Sequence, residues 1–340
     1  MTAPAESASE AFGKTAMDRR TFLCGLTAAS ARPVLLGDRA QASSAPPPGS
    51  ACLRAPFPVP AVISRPTLLW ADEFDQLDLS TPSRHGKWRP NESWQDLGTG
   101  YRDFAGDSWN VNPNQPGFAS FNPFLVRDSV LTISNTLVPA SLRTLIRSTM
   151  DGTAQKDLPT PKRMGGMLIT DPEVTSFRYG YFEIRVRWPN SGRGMFPAIW
   201  LFRSNNDCEP EGKGGAEIDI LEIFGDVEGS PYHISIHHND RHGIGNSYKI
   251  SPPDGEHLRR ADDWHLISLD WQPKELTFLR DGEILHKVEG GRATWFDADM
   301  SLRLNYCVDG KWFGEKKVDA STPGTLLMEV DYVRVYSHRP

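Results

Sequence analysis

Three acidic residues within a short apolar run are the part of the sequence best suited to chemistry. Glu217, Asp219 and Glu222 lie among isoleucine, leucine and phenylalanine residues. Alternate residues of a β-strand share a face, so Glu217 and Asp219 point the same way. A one-residue bulge after Asp219 would bring Glu222 onto that face, and bulges are common beside active sites. The spacing therefore predicts a bulged strand that carries three carboxyl groups in a row.

The predicted distance between the two glutamates indicates which chemistry they could perform. Glu217 and Glu222 would be about four strand steps apart, roughly 13 Å between Cα atoms, and side chains that lean together would bring the carboxyl groups to about 5 to 6 Å. A retaining glycosidase needs about 5 to 5.5 Å between its nucleophile and its acid/base. The structural alternative is a strand with a solvated acidic face. Three like charges on one face repel each other, and a strand with a purely structural role has no reason to keep them. We therefore favour the catalytic interpretation.

The same run resembles the signature of glycoside hydrolase family 16. Two residues separate Asp219 from Glu222, as in the bulged, laminarinase-like members, whereas lichenases have one. The resemblance implies that Glu217 is the nucleophile, Asp219 an assisting residue and Glu222 the acid/base.

Further segments resemble the family in the expected order. They are Trp70–Asp75, Asn122–Ile133, Tyr179–Glu183, Pro197–Leu201, Asp263–His265, Asp281–Gly282 and Asn305–Trp312. The resemblance implies an all-β fold, a β-jelly roll sandwich of two curved antiparallel sheets similar to concanavalin A. Residues 67–340 would form this catalytic domain.

Local patterns support a sandwich of short strands. From Tyr181 to Trp188 apolar and polar residues alternate completely, which is typical of a strand with one buried face. Glu275–Leu285 encloses Asp281-Gly282, a hairpin turn signal. Tyr332–Tyr336 is predicted to be a closing strand. No segment shows a sustained helical repeat, and Thr136–Met164 is predicted to be a long loop or insertion.

Composition excludes several classes of function. The chain has 340 residues, 39% of them hydrophobic, which is enough for a full core. A net charge of -6 leaves no basic footprint for nucleic acid. The four cysteines show no metal-ligand spacing. We expect a monomer without an integral membrane segment.

The N-terminus resembles an export signal. Arg19-Arg20 is followed by a short apolar run and by Ala40-Gln41-Ala42, a small-residue cleavage site. Residues 1–42 are therefore predicted to be a twin-arginine-type signal peptide, and residues 43–66 a linker rich in Pro, Ala and Ser. The apolar run is too short and too polar to span a membrane. The expected location is periplasmic or extracellular.

A sugar-binding site needs aromatic faces for the rings and polar groups for the hydroxyls. By resemblance, the candidates for substrate binding are Trp200, His237 and Trp312, followed by Trp94 and Trp109. Each tryptophan could instead be packed in the core. His237 could contact either the substrate or a carboxylate.

Family members often hold a structural calcium ion, and Asp331 and Glu73 match those positions. Carboxylate oxygens suit calcium. No cofactor is expected for catalysis.

Together these features predict a retaining, endo-acting glycosidase that cleaves β-1,3 or mixed β-1,3/1,4 glucan by double displacement. Phe196 stands where the family commonly has Trp, and Asp309-Gly310 replaces a Gly-Gly pair. Both changes lie where sugar would bind, so an endo-glycanase of a bacterial exopolysaccharide is an alternative. A transglycosylase would keep the same acids. A carbohydrate-binding jelly roll without catalysis is the alternative from another class, although it has no use for a paired nucleophile and acid.

Overall fold

Two β-sheets contain most of the chain that the computed structural model describes. The described residues all fall within one compact unit of the chain, residues 41–340. The described residues are 65–92, 101–102, 107–151, 156–190, 192–203, 213–225, 232–240, 245–250, 263–309 and 317–340. The signal peptide, nearly all of the linker, Trp94 and Trp312 lie outside these ranges, so their predicted roles stay predictions.

The strands are numbered in chain order. They are β1 (Leu68–Asp72), β2 (Trp88–Arg89), β3 (Tyr101–Arg102), β4 (Ser108–Asn110), β5 (Phe124–Arg127), β6 (Val130–Leu137), β7 (Arg163–Gly165), β8 (Met167–Thr170), β9 (Gly180–Asn190), β10 (Met195–Arg203), β11 (Lys213–Ile223), β12 (Tyr232–Asp240), β13 (Gly245–Ile250), β14 (His265–Gln272), β15 (Glu275–Arg280), β16 (Glu283–Glu289), β17 (Met300–Val308) and β18 (Thr325–Tyr336). Among the described residues, one α-helix, α1, spans Ala140–Asp151, and two short 3-10 helices span Ala119–Phe121 and Gly290–Trp295.

Within the described residues, one sheet has seven strands and the other eleven. The seven-stranded sheet has the order β13-β12-β11-β10-β17-β8-β2. The eleven-stranded sheet runs β16-β15-β14-β9-β18-β6-β7-β4-β3, with β1 also paired to β18 and β5 to β6. Nearly all strand pairs are antiparallel, and β4 with β7 is a parallel exception. This arrangement confirms the predicted all-β sandwich.

The main core lies between the two sheets. The inward residues of β9 are Phe182, Ile184, Val186 and Trp188, and each is fully buried, which confirms the alternation read from the sequence. They share one apolar cluster with the isoleucines of β11 and β12 from the other sheet. Each such side chain contributes about 1.5 to 3 kcal/mol on burial. Residues that alternate with these isoleucines, such as Glu217 and Asp219 of β11 and Ser235 and His237 of β12, lie on the opposite face of the seven-stranded sheet.

The predicted hairpin is present between β15 and β16. Asp281 and Gly282 have φ angles of 51° and 84°. Two central residues with positive φ are typical of the turn whose twist matches the flanking strands. The predicted closing strand is also present, as the C-terminal part of β18.

The prediction that Thr136–Met164 is a loop was wrong, because the segment contains α1. Leu142, Ile146 and Met150 repeat every four residues and are buried on one side of this helix. They form a second apolar cluster with residues that include Trp109 and come from distant parts of the chain. This short apolar repeat is a helical signal that the sequence analysis missed, and packing of the apolar side in the second cluster stabilises the helix. Among the described residues, no helix is long and apolar enough to cross a membrane.

Candidate active site

The acidic strand β11 contains the predicted bulge. Asp219 pairs with Ser235 of β12 and Glu222 pairs with His233, so three steps on β11 match two on β12. The intervening Ile220 and Leu221 are both fully buried in the core. The extra residue returns Glu222 to the outer face of the sheet. All three acids therefore lie on the same face, as the spacing predicted.

His237 lies beside the first two acids. It pairs with Glu217 across β11 and β12. Its Nε2 atom is 3.0 Å from Oδ2 of Asp219. Asp219 is buried and Glu217 is half-buried. One carboxylate oxygen of Glu217, one of Asp219 and one ring nitrogen of His237 all lie within 4.8 Å of one another. The predicted contact between His237 and a carboxylate is thus present.

Asp219 has a strongly perturbed charge state. Burial raises the pKa of its carboxyl group well above the ordinary range, and the charges of Glu222 and Glu217 raise it further, whereas the imidazole of His237 lowers it. Burial is the largest cause, because an ion transferred out of water loses its hydration. Burial therefore favours the protonated form of Asp219, which makes this carboxyl a potential hydrogen-bond donor.

Glu222 is more deeply buried than Glu217 and lies beside aromatic side chains that the sequence did not place there. Its cross-strand neighbour His233 is 7% exposed, and Glu222 itself is 3% exposed. The ring of Phe224 stacks on His233, with 4.4 Å between ring centroids. Phe224 in turn packs against Phe196, the residue that replaces the family's usual tryptophan. An aromatic wall thus borders Glu222.

Trp200 lies next to the acids, on β10. It pairs with Asp219 across the two strands. The indole Nε1–H donates a hydrogen bond to Oδ1 of Asn305, 2.7 Å away. The guanidinium carbon of Arg303 lies 4.9 Å from the ring centroid, over the ring. A sugar could therefore stack only on the half-exposed remainder of this indole.

Arg303 is a buried cation that the sequence analysis missed. Its Nη2 donates to Oε2 of Glu92 at 2.8 Å. Its Nη1 donates to the carbonyl oxygens of Phe202, at 3.2 Å, and Ser301, at 3.1 Å. The signal that could have placed it is the alternation in β17, where Leu302 and Leu304 belong to the main core and Arg303 between them points to the opposite face of the sheet.

The structure contradicts a sugar-binding role for Trp109. This indole is 1% exposed and stacks on Phe118 in the second apolar cluster, with 6.1 Å between ring centroids. A ring covered in this way packs the core beneath α1 and offers no face to a sugar.

Glu73 and Asp331 do not fit the predicted calcium ion. Both oxygens of Glu73 accept hydrogen bonds from Arg334, at 2.8 Å each. Asp331 accepts one from Arg185. Two guanidinium groups already neutralise these carboxylates and would repel a cation. Within the described ranges, the group of acids and histidines close enough to hold a metal is instead Glu217, Asp219 and His237.

The chain is similar in sequence to known glycoside hydrolases. The family model "Glycosyl hydrolases family 16" matches residues 143–334. A β-glucanase of Rhodothermus marinus is 32% identical over 178 residues, which are 47% of this chain and 58% of that protein. The endo-1,3-1,4-beta-glycanase ExsH of Rhizobium meliloti (strain 1021) is 27% identical over 279 residues, 79% of this chain and 51% of that protein. The chain thus spans little more than half the length of these relatives.

A similar solved structure is the catalytic domain of an endo-1,3-beta-glucanase (laminarinase) from Thermotoga petrophila RKU-1. It has a TM-score of 0.57 and 20% identity, and the match covers 82% of this chain and 100% of that domain. At this identity the likeness establishes the fold.

Proposed function

Because the chain belongs to glycosyl hydrolase family 16, we propose that it is a retaining, endo-acting hydrolase of β-1,3 or mixed β-1,3/1,4 glucan. The observation that supports this proposal is the row of Glu217, Asp219 and Glu222 on one face of a bulged strand. The bulge places the second glutamate on the same face of the sheet as the first two acids.

The proposed reaction has two displacements. Glu217 attacks the anomeric carbon while Glu222 donates a proton to the departing glycosidic oxygen, which gives a covalent glycosyl-enzyme. Glu222 then removes a proton from water, and the water oxygen attacks the same carbon and releases Glu217. Two inversions give net retention of configuration.

Asp219 would assist from the middle of the row. Because burial raises its pKa, it holds a proton that it can donate to the carboxylate of Glu217. Such a bond orients the nucleophile, and it leaves Glu217 as the anion that must attack. His237 contacts Asp219 from the neighbouring strand and would fix its orientation.

Chemical rescue by azide tests these roles, with a substrate that has an activated leaving group. In Glu217→Ala, azide should attack the sugar directly and give a glycosyl azide of inverted configuration. In Glu222→Ala, the covalent intermediate should still form, and azide should intercept it with net retention. Asp219→Asn serves as the matched control, which should be slow and give neither azide product. The opposite stereochemistry in the two glutamate variants would exchange their roles, and full activity in both would place the site elsewhere.

A second candidate substrate is a bacterial exopolysaccharide. The substituted Phe196 packs near Glu222, where a sugar would lie. Purified protein should be incubated with laminarin, lichenan, curdlan and an acidic exopolysaccharide, and the products separated by size. Oligosaccharides from the glucans support the first candidate; cleavage of the exopolysaccharide alone would replace it. Binding without cleavage of any of them would favour a non-catalytic jelly roll.

We also propose that Arg19 and Arg20 direct export of the folded protein. The support is the sequence pattern of two arginines, an apolar run and Ala40-Gln41-Ala42. Replacing both arginines by lysine keeps the charge and should trap full-length precursor inside the cell. Unchanged release of shortened protein from the variant would exclude this route.

A further inference from the structure

We propose that Glu217, Asp219 and His237 form a binding site for a transition-metal dication of the zinc type. Two carboxylates and an imidazole offer ligand atoms that all lie within 4.8 Å of one another. These three groups are ligands that zinc binds commonly, at about 2.0 to 2.2 Å, with water in a fourth position. Calcium favours six to eight oxygen ligands and does not suit a site with a nitrogen.

The backbone holds the three ligands in place. Glu217 and Asp219 are two residues apart on β11, and His237 is the direct cross-strand partner of Glu217 on β12. Ligands on paired strands cannot separate without breaking the ladder between them. The set is therefore organised before a metal arrives.

A second observation is the setting of the Asp219 carboxyl group. Asp219 is 1% exposed, and its Oδ2 atom accepts no well-aligned hydrogen bond. His237 Nε2 lies 3.0 Å from this oxygen, so the atom points into the cluster. A buried oxygen without a partner is destabilising. A dication bound to Oδ2 would give this oxygen a partner. On binding it would displace the proton of Asp219, and the two carboxylates would then balance its charge.

Metal binding would also regulate the proposed reaction. A dication that holds the carboxylate of Glu217 removes its free electron pair from the anomeric carbon, so the loaded protein should be inactive. This consequence rests on the proposed function, whereas the binding itself does not.

The experiment uses the untagged full chain, treated with EDTA and dialysed. Calorimetric titration with Zn²⁺ should show one site that Ca²⁺ neither fills nor competes for. Titration with Co²⁺ should give visible absorption bands of a low-coordinate nitrogen and oxygen site, and Zn²⁺ should abolish them. In His237→Asn, affinity for Zn²⁺ should fall by at least about tenfold, because even groups outside the ligand set typically contribute ten- to a hundredfold.

His265→Asn is the matched control. His265 Nδ1 also contacts an aspartate, with 2.9 Å to Oδ2 of Asp281, but no third ligand completes a cluster there among the described residues. Its affinity for Zn²⁺ should equal that of the unchanged protein. Circular dichroism checks that both variants fold, and Glu217→Gln replaces His237→Asn if the latter does not.

The absence of a stoichiometric Zn²⁺ site, or equal affinity in the unchanged protein and the ligand variant, would overturn the proposal. If a glucan is cleaved, Zn²⁺ should stop the reaction and EDTA should restore it. If no glucan is cleaved but the cobalt bands depend on His237, the metal site stands and the proposed function fails.

Discussion

Replacing Glu92 by glutamine is expected to lower the free energy of unfolding by about 3 kcal/mol. The Arg303 side chain is 0% exposed and that of Glu92 is 3% exposed, with 2.8 Å between Nη2 and Oε2. Removal of one partner from a buried ion pair costs about 3 to 5 kcal/mol, because the other charge stays buried and unbalanced. The lower end applies, since glutamine keeps an acceptor and Arg303 keeps its bonds to the carbonyls of Phe202 and Ser301.

Glu73→Gln is the matched control for burial. Glu73 and Arg334 also form a pair at 2.8 Å, but their side chains are 47% and 32% exposed. Pairs in contact with water contribute about 0 to 1 kcal/mol. The chemical change is identical in the two variants, so the difference between them isolates the effect of burial.

The assay is reversible unfolding in urea, followed by tryptophan fluorescence. Glu92→Gln should shift the midpoint to lower urea at an unchanged slope, whereas Glu73→Gln should leave it within error. In thermal unfolding, about 3 kcal/mol corresponds to a drop in Tm of about 6 to 12 °C for a domain of this size. Equal shifts in the two variants would refute the reasoning from burial.

Two further predictions concern the acid row and its neighbour. Burial raises the pKa of Asp219 above its ordinary value of 3.8, so the folded protein keeps a proton that the unfolded chain loses, and stability falls as pH rises through this window. Asp219→Asn removes this titrating group, so the Tm of the variant should exceed that of the unchanged protein at neutral pH. The difference should disappear below about pH 3.8, where the carboxyl is protonated in the unfolded chain as well. A lower Tm of the variant at neutral pH would contradict the raised pKa of Asp219. If the half-exposed indole of Trp200 stacks on sugar, Trp200→Leu should lower kcat/KM, mainly by raising KM, by a factor that corresponds to about 1 to 3 kcal/mol. Unchanged kinetics on a polymeric glucan would exclude that contact.

The sequence was sufficient wherever a local period determined the structure. The inward residues of β9 alternate without interruption, and the acids of β11 depart from alternation by one position. Each of these patterns lies within a few neighbouring residues, so strand geometry alone predicts which face each side chain occupies. The Asp281-Gly282 turn followed for the same reason.

The sequence failed wherever the answer depended on distant residues. Arg303 and Glu92 are separated by 211 positions, and nothing near either one indicates its partner. Helix α1 buries only three of its apolar residues, Leu142, Ile146 and Met150. The helix is stabilised by packing against residues such as Trp109, which lies well before it in the chain. The aromatic character of Trp109 was visible, but whether its ring meets sugar or the core depends on how α1 packs.

The bulge in β11 also bears on how such an active site can change in evolution. Loss of one amino acid from a strand normally turns every following side chain to the opposite face. Here the loss of one codon, for Ile220 or for Leu221, would remove the extra residue and leave the acids at consecutive alternate positions. That is the spacing of the unbulged, lichenase-like signature. The two forms of the catalytic strand are therefore a single deletion apart, and an intermediate with its second glutamate in the core is not required.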